Sequence, residues 1–267
     1  MLPAWSTRGE VATVSAVGWP EHVTREWAWG GSTGRGVRVC VVDSGVDGDH
    51  PLVAPLEGSV AVVLGGPEPT IEKDEAGDVA GHGTACASVI RSLAPECELF
   101  SVRVLGPGGI GKGNAFVAGV RWAVEQGFDV VNLSLSTPYP EFEVLLHELA
   151  DSAYFKRTVL VASAHNMPVE SYPWRFSSVI SVGSHEGTDP LSYYYNPDPP
   201  VEFFARGVGI DVAWLDGGEL RVTGNSFATP HISGICALVL GAHPELTPFQ
   251  LKNVLYLTAT NVGGGDG

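Results

Sequence analysis

The sequence predicts an α/β protein of three layers, a mostly parallel β-sheet with helices on both faces. Three observations predict it. Apolar runs of strand length alternate along the chain with segments of helical period, the order of a parallel sheet with crossover helices. The strand runs are continuously apolar rather than alternating, as a sheet buried on both faces requires. The chain has 267 residues, 44% of them hydrophobic, enough to bury a sizeable core within one domain.

The elements follow in order. "VRVCVVD" (37–43) reads as a buried strand, "GTACASVIRSL" (83–93) as a helix rich in small residues, and "CELFSVRVL" (97–105) as a strand. In "GNAFVAGVRWAVEQG" (113–127), Phe116, Val117, Val120 and Val124 fall at helical spacing, and Gly127 suits a C-terminal stop. "FDVVNLSL" (128–135) reads as a strand and "EFEVLLHELADSAYFKR" (141–157) as an amphipathic helix. "TVLVASA" (158–164) and "SSVISVGS" (177–184) are further strands. "SFATPHISGICALVLGA" (226–242) and "TPFQLKNVLYLTA" (247–259) are the last two helices. The Gly/Pro-rich piece 65–79 reads as a surface loop. The chain shows no internal repeat, low-complexity segment or interdomain linker, so residues 1–267 are read as one domain.

Composition narrows the function. The net charge is −15, which argues against nucleic-acid binding, since that needs a Lys/Arg surface to displace counterions. An acidic surface favours solubility and can attract basic peptides. No apolar run reaches the length of about 18 residues needed to span a membrane. The N-terminus lacks the basic start and apolar stretch of a secretory signal. The cysteines, Cys40, Cys86, Cys97 and Cys236, form no CxxC pair and no zinc spacing. Reduced, buried thiols and a cytoplasmic setting are therefore expected, unless the chain is a trimmed piece of a larger or secreted protein.

In open parallel sheets, ligands bind beyond the carboxyl ends of the strands. Three residues there can carry chemistry. Asp43 ends the strand 37–43, although Asp-Ser-Gly is also a good turn. His82 begins the helix 83–93 between two glycines, which let other backbone approach closely. Ser226 begins the long helix, where serine is also a favoured N-cap. Two features favour a reacting serine. Gly224 permits a close approach, and Pro230 interrupts the apolar helix at a cost of about 3 kcal/mol unless compensated. Together they form an acid, a base and a nucleophile in the chain order Asp, His, Ser, the order of the subtilisin arrangement. The Gly-x-Ser-x-Gly elbow of the α/β-hydrolases is absent, because position 228 is Ala.

The three blocks "VVDSGVDGDHP" (41–51), "GHGTACASV" (81–89) and "GNSFATPHISG" (224–234) resemble those of the subtilisin-like serine proteases, the subtilase family. The resemblance runs from about residue 19 to about residue 260. It implies a triad of Asp43, His82 and Ser226, acting through an acyl-enzyme on a peptide or protein substrate. It also implies an oxyanion donor from the asparagine of "VLVASAHNMP" (159–168), namely Asn166, which read alone is a turn residue before Pro168. "SLSTP" (134–138) resembles the segment that pairs with substrate backbone, and "LGPGGIGKG" (105–113) the opposite wall. These assign substrate contacts to Ser134, Leu135, Ser136 and Gly109, with His165 and Ser171 beside them.

Several family positions differ here. Ser136, His165, Ser171 and Trp174 stand where glycine is usual, so a narrowed primary pocket and a selective intracellular or processing enzyme are expected. Asn225 replaces threonine, Phe227 methionine, and Ala85 a second histidine, while Cys86 is similar to the buried cysteine of proteinase K-like members. Leu52 follows "HP" where the family's strong calcium site has an aspartate, and no loop is inserted after the His82 helix. Calcium needs roughly six to eight oxygens, so no metal and no cofactor are expected, and Asp47-Gly-Asp49-His50 reads as a turn. No propeptide is read before the domain, so the chain is expected either to fold without one or to have been cut from a larger chain, and the family's closing segment is expected to be missing from its end. Two other outcomes remain open on this fold: a macrocyclase or transpeptidase of ribosomal-peptide maturation, and an inactive peptide-binding module.

Overall fold

The computed structural model describes residues 18–262. Most of the N-terminal stretch read for a signal sequence, and the C-terminal residues 263–267, lie outside the described residues. The elements run α1 (Arg25–Trp29), β1 (Arg38–Asp43), β2 (Gly58–Val63), β3 (Thr70–Lys73), α2 (His82–Leu93), β4 (Glu98–Arg103), α3 (Gly113–Glu125) and β5 (Val130–Leu133). They continue with α4 (Glu143–Phe155), β6 (Val159–Ser163), β7 (Ile180–His185), β8 (Tyr193–Tyr195), β9 (Phe203–Arg206), β10 (Ile210–Ala213), β11 (Glu219–Val222), α5 (Asn225–Ala242) and α6 (Pro248–Thr258).

Among the described residues, nine strands form one sheet in the order β3-β2-β4-β1-β5-β6-β7-β9-β8. The pairs from β2 through β9 are parallel, and the end pairs β2–β3 and β8–β9 are antiparallel. Side chains alternate across a strand, and here both sides are buried. Val39 and Val41 of β1 face one core with Val159 and Val161 of β6 and with helices α2 and α5. Cys40 and Val42 face the other with Leu160, Ala162 and helices α3 and α4. All four cysteines are buried and free. No helix among the described residues is long and apolar enough to cross a membrane.

The structure corrects one reading. The piece 65–79 is not loop throughout, because β3 lies inside it and pairs with β2. "TIEK" is an exposed edge strand with two charged residues, and charge is how edges are protected from further pairing. It therefore carries no apolar signal. The short α1 and the strands β8–β11 also lack the long apolar runs that reveal the central strands, whereas β2 carries one, Val60 to Leu64, that the sequence reading passed over.

Helix α2 starts hard against the loop that follows β1. A Cβ on Gly83 would lie 2.0 Å from the Gly45 carbonyl oxygen and 3.2 Å from Asp43 Cβ. Gly83→Ala is therefore expected to cost about 1–3 kcal/mol through overpacking. Equilibrium unfolding in guanidinium chloride checks this, and an unchanged midpoint would contradict it.

Candidate active site

The site lies at the carboxyl ends of β1, β5 and β6, where the first residues of α2 and α5 meet. Asp43 is the last residue of β1 and is fully buried. Its Oδ1 accepts from the Ser44 N–H at 2.7 Å. The His82 Nδ1 lies 2.8 Å from Asp43 Oδ1 and 2.9 Å from Oδ2. A carboxylate only accepts, so Nδ1 carries the proton and Nε2 is left as the basic atom.

The start of α2 is held by Asp78. Its Oδ1 accepts from Ala80 N (2.9 Å), Gly81 N (2.8 Å) and Ser44 Oγ (2.8 Å). Its Oδ2 accepts from Thr84 N (2.8 Å) and Thr84 Oγ1 (2.6 Å). One carboxylate thus satisfies orphan donors of the helix start and fixes Ser44 beside Asp43. Asp78 was not read from the sequence, where the available signal is an acid just before a helix start. Gly81 adopts φ +87, and a Cβ there would lie 2.7 Å from the Trp214 ring. Trp214, also unread from the sequence, lines the cleft beside His82.

Burial acts to lower the His82 pKa, but the Asp43 carboxylate, by charge and hydrogen bond, and the Asp78 carboxylate outweigh it, and the net shift is upward. The imidazole tilts against the Phe227 ring, with centroids 5.1 Å apart.

Ser226 is the second residue of α5, and no side chain caps that helix, so the serine is not an N-cap. Its own N–H is among the orphan donors of the first turn. Pro230 cannot donate to the carbonyl four residues back, which is that of Ser226. That carbonyl instead accepts from Ser134 Oγ at 2.7 Å and, weakly, from Cys86 Sγ at 3.6 Å. The proline is thereby compensated, and the freed carbonyl ties the helix start to the end of β5. Ser134 Oγ in turn accepts from Asn132 Nδ2 at 3.0 Å, and Asn132 Oδ1 accepts from Ser233 Oγ at 2.9 Å.

Asn166 follows β6, and its Oδ1 accepts from Asn225 N at 2.9 Å. Gly224 is extended, so its conformation does not demand glycine. A Cβ at 224 would make only ordinary contacts, 3.4 Å from Ser226 Oγ and 3.5 Å from Asn166 Nδ2. It would fill the gap between the hydroxyl and the amide.

His82, Ser226 and Asn166 line one cleft of about 530 Å³ with Gly109, Ser134, Leu135, Ser136 and His165. Among the described residues, no hydrogen bond joins His82 Nε2 to Ser226 Oγ; such contacts often tighten only when substrate is bound. Ser171 does not line this cleft. It is fully buried, accepts from Trp174 Nε1 at 2.8 Å, and lies 2.9 Å from Ser136 Oγ. Its expected place on the cleft surface is therefore corrected: it meets the cleft only through its bond to Ser136, which lines it. The Asp47 turn forms as read, with Asp49 N donating to Asp47 Oδ1 at 3.0 Å. The clustered potential metal ligands among the described residues are Asp43, His82 and Cys86, and the first two are already engaged with each other.

The chain resembles known proteins over most of its length. The subtilase family profile matches residues 34–267. Subtilisin DY of Bacillus licheniformis is 31% identical over 248 residues, covering 87% of each chain. Subtilisin Savinase of Lederbergia lenta is 32% identical over 244 residues, again covering 87% of each. M-protease of Shouchella clausii is 32% identical, covering 87% of this chain and 61% of its own. The crystal structure of a cold adapted subtilisin-like serine proteinase superposes with a TM-score of 0.67 at 27% identity, covering 88% of each chain. A buried carboxylate paired with a half-buried imidazole, a serine at a helix start and this extent of similarity lead to one conclusion: the chain belongs to the subtilase family of serine proteases.

Proposed function

We propose that the chain is a serine endopeptidase in which Ser226 is the nucleophile, His82 the general base and acid, and Asp43 the residue that orients and stabilises the imidazole. Asn166 Nδ2 and the Ser226 N–H are the oxyanion donors. His82 Nε2 takes the Ser226 proton as Oγ attacks the peptide carbonyl. The carbonyl oxygen becomes negative in the gap that Gly224 leaves open, facing the amide of Asn166. His82 then protonates the leaving amine, and water repeats the sequence in reverse to release the acid. The observation that carries this reading is the pairing of buried Asp43 with half-buried His82 at 2.8 Å, in the cleft that Ser226 and Asn166 also line.

Substrate binding fits strand addition. The segment 134–136 leaves its backbone unpaired among the described residues, and pairing resumes at Thr137, which bonds to Tyr172. The opposite wall is the turn carrying Gly108 and Gly109, both at positive φ. The Ser136–Ser171–Trp174 chain of hydrogen bonds fills space where the family has glycines. It supports a narrow primary pocket and a selective, processing role with small residues at P1.

Three outcomes are expected. A fluorophosphonate probe labels the folded protein at Ser226, and Ser226→Ala abolishes labelling and lowers kcat by roughly 10⁶; an unlabelled folded protein would mark a silent binding module. Mass-spectrometric profiling of a diverse peptide library shows cleavage after small residues, and uniform cleavage after large ones would contradict the narrow pocket. Only neutral imidazole accepts the serine proton, so activity is lost as pH falls through the His82 pKa. Because that pKa is raised, the acidic limb of kcat/KM lies above the ordinary histidine value of 6.5. A limb at or below that value would overturn the electrostatic assignment.

A further inference from the structure

Asn225, beside the nucleophile, has every polar atom engaged. Its backbone N–H donates to Asn166 Oδ1 at 2.9 Å. Its Oδ1 accepts from Ser184 N and Ser184 Oγ, each at 2.9 Å. Its Nδ2 donates to the carbonyls of Ala164 at 3.2 Å and His165 at 3.4 Å. One residue therefore joins the start of α5, the end of β7 and the segment that carries Asn166.

That segment is anchored at its start, where buried Ala164 donates its N–H to the Val182 carbonyl of β7 at 2.8 Å, but beyond Ala164 packing holds little of it. Asn166, Met167, Pro168, Val169 and Glu170 are exposed. Behind it lies a cavity of about 340 Å³, lined by Ala164, His165, Met167, Ser184 and Asn225 among others. Hydrogen bonding rather than packing fixes the loop on this side. The bond to Oδ1 also settles the direction of the Asn166 amide. With Oδ1 turned to the Asn225 N–H, Nδ2 is presented to the gap at Gly224, toward Ser226 Oγ.

We propose that Asn225 is a positioning residue for the reaction: its side chain clamps the 164–166 segment to β7 and so sets the Asn166 amide against the nucleophile. It touches neither substrate nor reacting atoms. Threonine, the usual residue at this position, has one hydroxyl; it can accept from Ser184 but cannot also donate to two carbonyls. The clamp is therefore particular to a carboxamide here. The proposal rests on the reading of Asn166 as oxyanion donor.

A double-mutant cycle tests it, with kcat, KM and melting temperature measured for wild type, Asn166→Ala, Asn225→Ala and the pair. Asn166→Ala is expected to lower kcat by about 10²–10³ with little change in KM. Asn225→Ala is expected to lower kcat about tenfold with KM within about twofold, in the range for coupled neighbours. In the Asn166→Ala background, Asn225→Ala should change kcat by less than about twofold, because the group it positions is gone. An equal tenfold loss in both backgrounds, a loss in KM alone, or no loss would overturn the clamp. Should Asn166→Ala itself leave kcat unchanged, the oxyanion reading falls and the clamp with it. If Asn225→Ala does not fold, Asn225→Ser serves in its place. It adds no charge, its short side chain cannot bond Ser184 and both carbonyls together, and it is expected to give a kcat loss in the same direction with the same non-additivity.

Discussion

The carbonyl of Ser226 is the point on which the site depends. Pro230 deprives it of its helical partner, and a buried carbonyl without a partner costs about 1–3 kcal/mol. Ser134 Oγ supplies the bond at 2.7 Å, and so links the first turn of α5 to the end of β5. Behind that bond runs a buried chain through Asn132 to Ser233 on the same helix. Such networks rigidify when every member is satisfied. A residue that looks like a helix defect is therefore what couples the serine to the sheet.

The imidazole is fixed by a parallel device. Asp43 ends β1, Asp78 holds the first turn of α2, and Ser44 bonds to both. Gly83 lets that helix approach the loop after β1 closely enough for His82 to reach Asp43. Helices α2 and α5 then pack on each other, and Gly234 leaves room for Leu93, which a Cβ there would approach to 2.9 Å. The two helix starts are thus set relative to each other by the sheet below and by their own contact. The electrostatic consequence is a histidine whose burial disfavours charge while two carboxylates favour it more strongly.

Much of this was legible in the sequence, for physical reasons. Strands buried on both faces must be continuously apolar, so β1, β4, β5, β6 and β7 announced themselves. The residues Asp43, His82 and Ser226 sit in blocks whose glycines are needed for close approach. What escaped was set by tertiary contacts. The strand β3 sits at an exposed edge and needs no apolar pattern. Asp78 looks like any acid in a loop until the donors it accepts from, at Gly81 and Thr84, are seen around it. Asn225 has meaning only once β7 and the 164–166 segment lie beside it. Ser171, read as a substrate contact, is inside because Trp174 and Ser136 cover it with hydrogen bonds.

The central claim is that a negative oxygen formed at Ser226 lies between its own N–H and the Asn166 amide. A crystal structure of the protein with a peptide boronate tests this directly. The account predicts a covalent bond from Ser226 Oγ to boron, with one boronate oxygen accepting from both Asn166 Nδ2 and Ser226 N. An unmodified serine, or an adduct whose oxygens turn away from Asn166, would contradict it.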